Sequence, residues 1–99
     1  MTRITARYGR DSYSILCSGH AGTTESCSAV SGLIGALAGW VHNHTGAVSM
    51  DKGEALIVFP EQEGAGAVMD LTVIGLLQIQ QAAPDDVSVN VESRVPGSP

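Results

Sequence analysis

Polar and apolar residues alternate along the first 18 positions of the chain. Residues 2–8 direct Ile4, Ala6 and Tyr8 to one side and polar residues to the other, which predicts a half-buried β-strand. Gly9-Arg10-Asp11 predicts a tight turn. Residues 12–18 again have an apolar face, formed by Tyr13, Ile15 and Cys17. The two stretches together predict a β-hairpin.

A helix is predicted from about Ser26 or Cys27 to Asn43, after a loop of small and polar residues that begins at Gly19. Small residues recur along it at helical spacing and form a stripe of Ala29, Gly32, Ala36 and Gly39. Glycine is unfavourable inside a helix, so its repetition indicates that a second backbone comes close.

The second half of the chain repeats this plan and adds one strand. Residues 47–51 and 54–59 predict a hairpin around Lys52-Gly53, and residues 65–82 predict a helix that is apolar over most of its circumference. Such a helix is buried on more than one side, in the core or at a subunit interface. Valines alternate from Val87 to Val91 and predict a last strand.

The predicted order is therefore ββαββαβ. Two hairpins and a lone strand can form one antiparallel sheet with both helices on one face, so the fold class is two-layer α+β. We expect a single domain over residues 1–95 and a frayed tail at 96–99.

Composition narrows the possible functions. The chain has 99 residues, a net charge of −5 and a pI of about 4.8, which argues against nucleic acid as a partner. No signal peptide is visible, and the longest apolar run, residues 29–41, is too short to span a bilayer. Two cysteines without a leader indicate reduced thiols in a cytoplasm. We therefore expect a cytoplasmic protein that binds no membrane.

A histidine and a cysteine lie on either side of the first loop, His20 in Gly19-His20-Ala21 and Cys27 in Cys27-Ser28-Ala29-Val30-Ser31. A cysteine at a helix N-terminus experiences the positive end of the helix dipole, which favours the thiolate. A nearby imidazole can accept the thiol proton. The pair thus has the components of a cysteine nucleophile and its base, although a free cysteine at such a position is more often a small buried hydrophobe.

These two motifs resemble those of the bacterial ribosomal-processing cysteine proteases, a family of small dimeric enzymes. The family has Gly-His-Ala at the end of its second strand and a following helix that opens with Cys-Ala-Ala-Val-Ser or a similar sequence. The second helix, with Leu76-Leu77-Gln78-Ile79, and the last strand also match the family's plan. The resemblance implies a homodimeric thiol protease that acts on a protein or peptide substrate without cofactor or metal.

Residue by residue, the resemblance implies that Cys27 is the nucleophile and His20 the base. Ser31, one helical turn after Cys27, matches a motif serine that supports the site, and Gly19 and Ala21 flank the histidine. The family's substrate is the N-terminal extension of a large-subunit ribosomal protein.

The chain departs from the family in the loop between histidine and cysteine. The loop is shorter, Ala21 to Ser26, and it lacks the aspartate that precedes the family's cysteine segment. Glu25 is a candidate to replace that aspartate in orienting His20, although a carboxylate at a helix start is also favoured by the dipole alone. The short loop also fits a divergent or phage-borne member that cuts a capsid or scaffold protein.

Two other classes of function stay open beside the peptidase. One is a non-catalytic homodimeric interaction module that retains the protease fold, and the other is a cysteine hydrolase acting on a small acyl substrate. Zinc binding by Cys17, His20 and Cys27 with His42 or His44 is disfavoured, because the spacing matches no common zinc pattern. A cytoplasmic setting disfavours a disulfide between the two cysteines.

Overall fold

Seven elements follow one another along the chain in the predicted order, ββαββαβ. The structure is a computed structural model that describes residues 1–19 and 24–93. The elements are β1 (Thr2–Tyr8), β2 (Ser12–Ser18), α1 (Thr24–His42), β3 (Ala47–Asp51), β4 (Glu54–Pro60), α2 (Ala65–Ala82) and β5 (Val87–Ser93). The α+β class is confirmed, and α1 begins at Thr24, slightly before its predicted start. The predicted tail at 96–99 lies outside the described residues.

The five strands form one mixed sheet in the order β3-β4-β2-β1-β5. Three of the four neighbouring pairs are antiparallel, as predicted, whereas β5 lies parallel to β1. The reason is the connection through α2. A helical crossover returns the chain in the direction of the strand it left, so β5 runs like β4, and β4 runs like β1.

One face of the sheet carries the core. In β1 the burial alternates, and Thr2, Ile4 and Ala6 are buried between exposed or half-buried neighbours. Both helices contribute to the same cluster of buried side chains, α1 through Val30, Ile34, Leu37 and Val41, and α2 through Ala65, Met69, Val73 and Leu76. Burial of each large aliphatic side chain stabilises the fold by about 1.5–3 kcal/mol. The sheet and its two helices therefore share a single core.

Two tyrosines tie the end of the first hairpin to α2 and its approach. The Tyr8 hydroxyl donates a hydrogen bond of 2.7 Å to the Asp70 carboxylate, and the Tyr13 hydroxyl donates to the Glu61 carboxylate. The bond to Glu61 raises the pKa of Tyr13, and for Tyr8 burial raises the pKa more than the bond to Asp70 does. Both phenols are therefore held in their protonated, hydrogen-bond-donating form.

The outer face of α2 is apolar and exposed. Leu71 is 70% exposed, Ile74 53% and Leu77 38%, although α2 buries its opposite face in the core. These three side chains recur three residues apart and therefore lie on one side of the helix. The prediction that α2 is apolar on more than its core face is thus matched by an exposed apolar stripe, which consists of Leu71, Ile74 and Leu77.

Gly46 joins the end of α1 to β3 at a position where no side chain fits. Its φ is +155°, and an added Cβ would come within 2.8 Å of the Val58 carbonyl oxygen and of Phe59 Cβ. Gly32, on the exposed side of α1, is the opposite case, because an added Cβ there, as at Gly39, would meet nothing within 4 Å. Among the described residues, no second backbone therefore packs against the small-residue stripe of α1, contrary to the expectation from the sequence.

We expect Gly46→Ala to lower the free energy of unfolding by about 1–3 kcal/mol, because the added methyl group would collide with Phe59 and the Val58 carbonyl at a strained backbone position. Gly32→Ala is the matched control and should raise stability by up to about 1 kcal/mol, because alanine favours the helix. Urea denaturation followed by circular dichroism measures both changes. Equal stability of the two variants would contradict the close approach at Gly46.

Candidate active site

Cys27 lies in the first turn of α1 and faces a groove between that helix and the β3–β4 hairpin. The groove has a volume of about 360 Å³, and its walls include Cys27, Val30, Ser31, Ile34 and Gly35 on one side and Met50, Asp51, Gly53 and Glu54 on the other. The side chain of Cys27 is half-buried, and its thiol is free. A peptide in this groove would thus lie beside a free thiol.

Cys17, on β2, lines the same groove from the side of the sheet. It lies on the inward face of β2, where its neighbours across the strands are Ile4 and Ala55. Burial raises the pKa of the Cys17 thiol, and the nearby Cys27 raises it further. Cys17 is therefore a protonated thiol at neutral pH, in the packing role that its place in the strand pattern predicts.

Gly19 fixes the chain where it enters the loop to Cys27. Its N–H donates a hydrogen bond of 2.9 Å to the Gly53 carbonyl, and its φ of +85° is in the left-handed region. An added Cβ would collide with the Met1 carbonyl oxygen. Glycine is therefore required here by both conformation and space. His20 and Ala21, which the sequence analysis assigns to the site, lie outside the described residues.

The remaining two predicted site residues lie on α1. Ser31 is one turn after Cys27, is exposed and lines the groove. Glu25 is exposed in the first turn, as expected for a carboxylate that the helix dipole favours. The supporting role of Ser31 and the orienting role of Glu25 stay predictions.

A carboxylate that the sequence analysis does not identify lies at the start of α1. Asp86, directly before β5, accepts a hydrogen bond of 3.2 Å from the hydroxyl of the buried Ser26, the residue before Cys27. The Asp86 carbonyl also accepts a bond of 2.9 Å from the Thr2 N–H, and the Thr2 Cα lies 3.7 Å from where a Cβ of Gly19 would be. Asp86 thus lies close to the residues that precede both His20 and Cys27.

The two other histidines occupy the opposite end of α1. His42 is the last residue of the helix. The His44 ring stacks on Trp40 with centroids 4.0 Å apart, and its Nδ1 lies 2.8 Å from the Trp40 carbonyl oxygen. No three histidine, cysteine or acidic side chains gather as a metal site in the described ranges 1–19 and 24–93. Neither α1 nor α2, the helices described, has the length and hydropathy needed to cross a bilayer.

Comparison with known proteins identifies the fold. No protein-family model and no curated protein matches the sequence. Among solved structures, the essential ribosomal processing protease Prp from S. aureus, in complex with a covalently linked product peptide, superposes with a TM-score of 0.78. That match covers 92% of this chain and 99% of the other at 14% identity. This chain has the Prp fold.

A second structure supports the same assignment. SMU.848 from Streptococcus mutans superposes with a TM-score of 0.77, at 19% identity, over 95% of this chain and 96% of the other. Prp from S. aureus has also been solved with a substrate peptide, and that structure superposes with a TM-score of 0.77 at 11% identity. The likeness extends over nearly the whole length of each protein.

The raised pKa of Cys17 has a consequence for stability at alkaline pH. Because folding favours the neutral thiol, its contribution is fully present below the unfolded pKa and is lost as pH rises through the folded value. We expect Cys17→Ala to flatten the decline of the free energy of unfolding above about pH 8.5, by less than about 1.4 kcal/mol per pH unit. Urea denaturation at pH 7, 8.5 and 10 measures this, and parallel declines in both proteins would contradict it.

Proposed function

We propose that this protein is a cysteine endopeptidase in which Cys27 is the nucleophile and His20 the base. The observation that carries the proposal is a free thiol in the first helical turn, facing a groove, on the fold of Prp. Prp from S. aureus has been solved with a covalently linked product peptide, which is the kind of complex that a nucleophilic side chain forms. Retention of His20 and Cys27 in the family's two motifs adds support from the sequence.

The proposed reaction proceeds through an acyl-enzyme. His20 accepts the thiol proton, and the Cys27 sulfur attacks the carbonyl carbon of the scissile peptide bond. The tetrahedral intermediate collapses as His20 donates the proton to the leaving amine, and water then hydrolyses the thioester. Cys27 is the fourth residue of α1, and the first four N–H groups of a helix lack partners within it. These N–H groups are the natural donors to the oxyanion.

Asp86 is our candidate for the carboxylate that orients the base. The family's aspartate is missing from the loop, whereas the Asp86 carboxylate is bonded to Ser26, and the Asp86 carbonyl is bonded to Thr2, which lies beside Gly19. A carboxylate that holds an imidazole in one tautomer strengthens it as a base. Glu25 stays the alternative, and as an exposed helix residue it has less support from its surroundings.

The substrate class follows from the Prp likeness. Prp is described as a ribosomal processing protease, so we propose a single specific cut in a protein substrate, with the extension of a ribosomal protein as the first candidate. A phage capsid or scaffold protein is the alternative that the shortened loop favours. Either substrate is consistent with a cytoplasmic protein whose thiols stay reduced.

The exposed stripe on α2 supports a homodimer. Three large apolar side chains at helical spacing stay exposed on one chain, and apolar patches of this kind mark interaction surfaces. A twofold interface would bring the same stripe of each copy together. The same surface also favours the second function, a non-catalytic interaction module, which would use α2 without needing an activated Cys27.

The proposed mechanism predicts an unusually reactive Cys27. Its alkylation by iodoacetamide should stay fast well below the pKa of about 8.5 of a free cysteine, and His20→Ala should slow it about tenfold or more. Asp86→Asn should shift the pH profile upwards, and Asp85→Asn, an exposed neighbour, should not. Peptide mass spectrometry measures the rates, and Cys27→Ser confirms the labelled residue.

An outcome with ordinary thiol reactivity would favour the interaction module. In that case Cys27 reacts no faster than a free cysteine at any pH, and His20→Ala leaves the rate unchanged. An unchanged pH profile in Asp86→Asn, with normal activity, would remove Asp86 from the mechanism and leave Glu25 to be tested in the same way.

The proposed homodimer predicts that charges placed on the α2 stripe separate the two copies. We expect Leu71→Asp combined with Ile74→Asp to convert the protein to monomers, because paired carboxylates would be buried in the interface. Ser49→Asp combined with Ser88→Asp adds the same charge to exposed positions on the face of the sheet opposite the helices and should leave the mass unchanged. Sedimentation equilibrium gives the mass. A wild-type monomer at micromolar concentration would contradict the homodimer.

A further inference from the structure

We propose that the peptide substrate binds to the free edge of β3 as an additional β-strand, with an apolar side chain directed into the groove beside Cys27. The inference rests on the proposed peptidase function and adds where the substrate lies, which backbone groups hold it and what kind of side chain it presents.

Two hydrogen bonds fix which residues of β2 bond to β4. The Gly19 N–H donates to the Gly53 carbonyl at one end of the pair, and the Glu61 N–H donates to the Asp11 carbonyl at the other. Bonding sides alternate along a strand, so Cys17 and the odd-numbered residues before it bond towards β4. The register between the ends is continuous.

The same alternation extends across β4 to β3. The β4 partners of those residues, such as Ala55 and Ile57, bond towards β2, so the even-numbered residues of β4 bond towards β3. Their partners in β3 are Asp51, Ser49 and Ala47. Val48 and Met50 are left with their N–H and C=O groups directed away from β4, towards an edge that no other described strand pairs with.

This edge, and not the opposite one, borders the groove that Cys27 lines. Met50 and Asp51 line the same groove as Cys27. The other edge strand, β5, begins close to Ser26 but contributes no residue to the described lining of this groove. A peptide paired with β3 would therefore run alongside the groove, whereas one paired with β5 would not.

The groove has open space beside α1 and favours an apolar side chain. On the α1 side, an added Cβ at Gly35 would meet nothing within 4 Å, so this wall leaves open space. Met50 pairs with Ala55 and shares its face of the sheet, which is the face that packs against the helices. A substrate residue opposite Met50 would direct its side chain to that same face, towards a groove whose lining includes Ala55, Val30 and Ile34.

The test uses acetyl-Leu-Leu-Leu chloromethyl ketone as an extended apolar probe for Cys27 and iodoacetamide as a reference without a peptide backbone. The measured quantity is the ratio of the two alkylation rates, obtained by intact-protein mass spectrometry. Met50→Pro removes the outward N–H and leaves the bonds to β4, a change that edge strands tolerate. Met50→Ala is the matched control, because it shortens the side chain and keeps the N–H.

We expect Met50→Pro to lower the ratio about tenfold and Met50→Ala to lower it by less than about threefold, as loss of backbone bonding would do. Probes N-methylated at successive leucines should give a ratio of alkylation rates that is alternately lowered and unchanged along the probe. The reason is that only every second N–H of an added strand faces β3. Urea denaturation checks that both variants stay folded.

Two outcomes would overturn the inference. One is an equal ratio in wild type and Met50→Pro, and the other is a ratio that N-methylation lowers equally at every position. A separate assay, the fluorescence anisotropy of fluorescein-labelled Leu-Leu-Leu-amide with Cys27→Ser, reports edge binding without the nucleophile. Loss of that binding in Met50→Pro, together with an unreactive Cys27 in wild type, would support the edge site and reject the peptidase.

Discussion

The parallel pairing of β5 with β1 is the constraint on which the site depends. It places Val87 beside Thr2, so that Asp86 comes to the start of β1 and bonds to the Thr2 N–H. The same point of the fold receives the end of β2, because Gly19 packs against Met1 and Thr2, and the start of α1, because Ser26 bonds to Asp86. Four separate parts of the chain therefore meet at one corner of the sheet, and Cys27 follows directly from it.

The pattern of side chains was sufficient to predict the elements, because each of them has one clear periodicity. β1, β2 and α2 have the bounds that alternation and helical spacing predict, and Gly53 marks a two-residue turn. The early start of α1 was not predictable, because Thr24 and Glu25 continue a run of polar residues without apolar spacing. In the structure, the contact of Ser26 with Asp86 shows that this first turn is held against the fold.

The direction of β5 and the position of Asp86 needed the three-dimensional structure for a related reason. Valines at alternate positions predict a strand but contain no information on whether it runs parallel or antiparallel to its neighbour. The crossover through α2 settles that, and Asp86 comes to lie beside Ser26 as a result. Cys27 and Ser31 were found in the sequence, because both belong to one short motif and lie one helical turn apart. A residue 59 positions after Cys27 belongs to no such motif.

The free edge of β3 also affects how copies of this protein meet one another. An exposed strand edge is a template for pairing with any extended chain, including a second copy of the same protein, and long apolar edges lead to aggregation. β3 has only five residues, ends at the charged Asp51 and is followed by Lys52, and two of its residues direct their backbone groups outwards. An edge of this length can pair with a short peptide but not with a long one. Because a longer edge would also promote aggregation, the need for solubility limits how many backbone groups of a substrate this edge can bind.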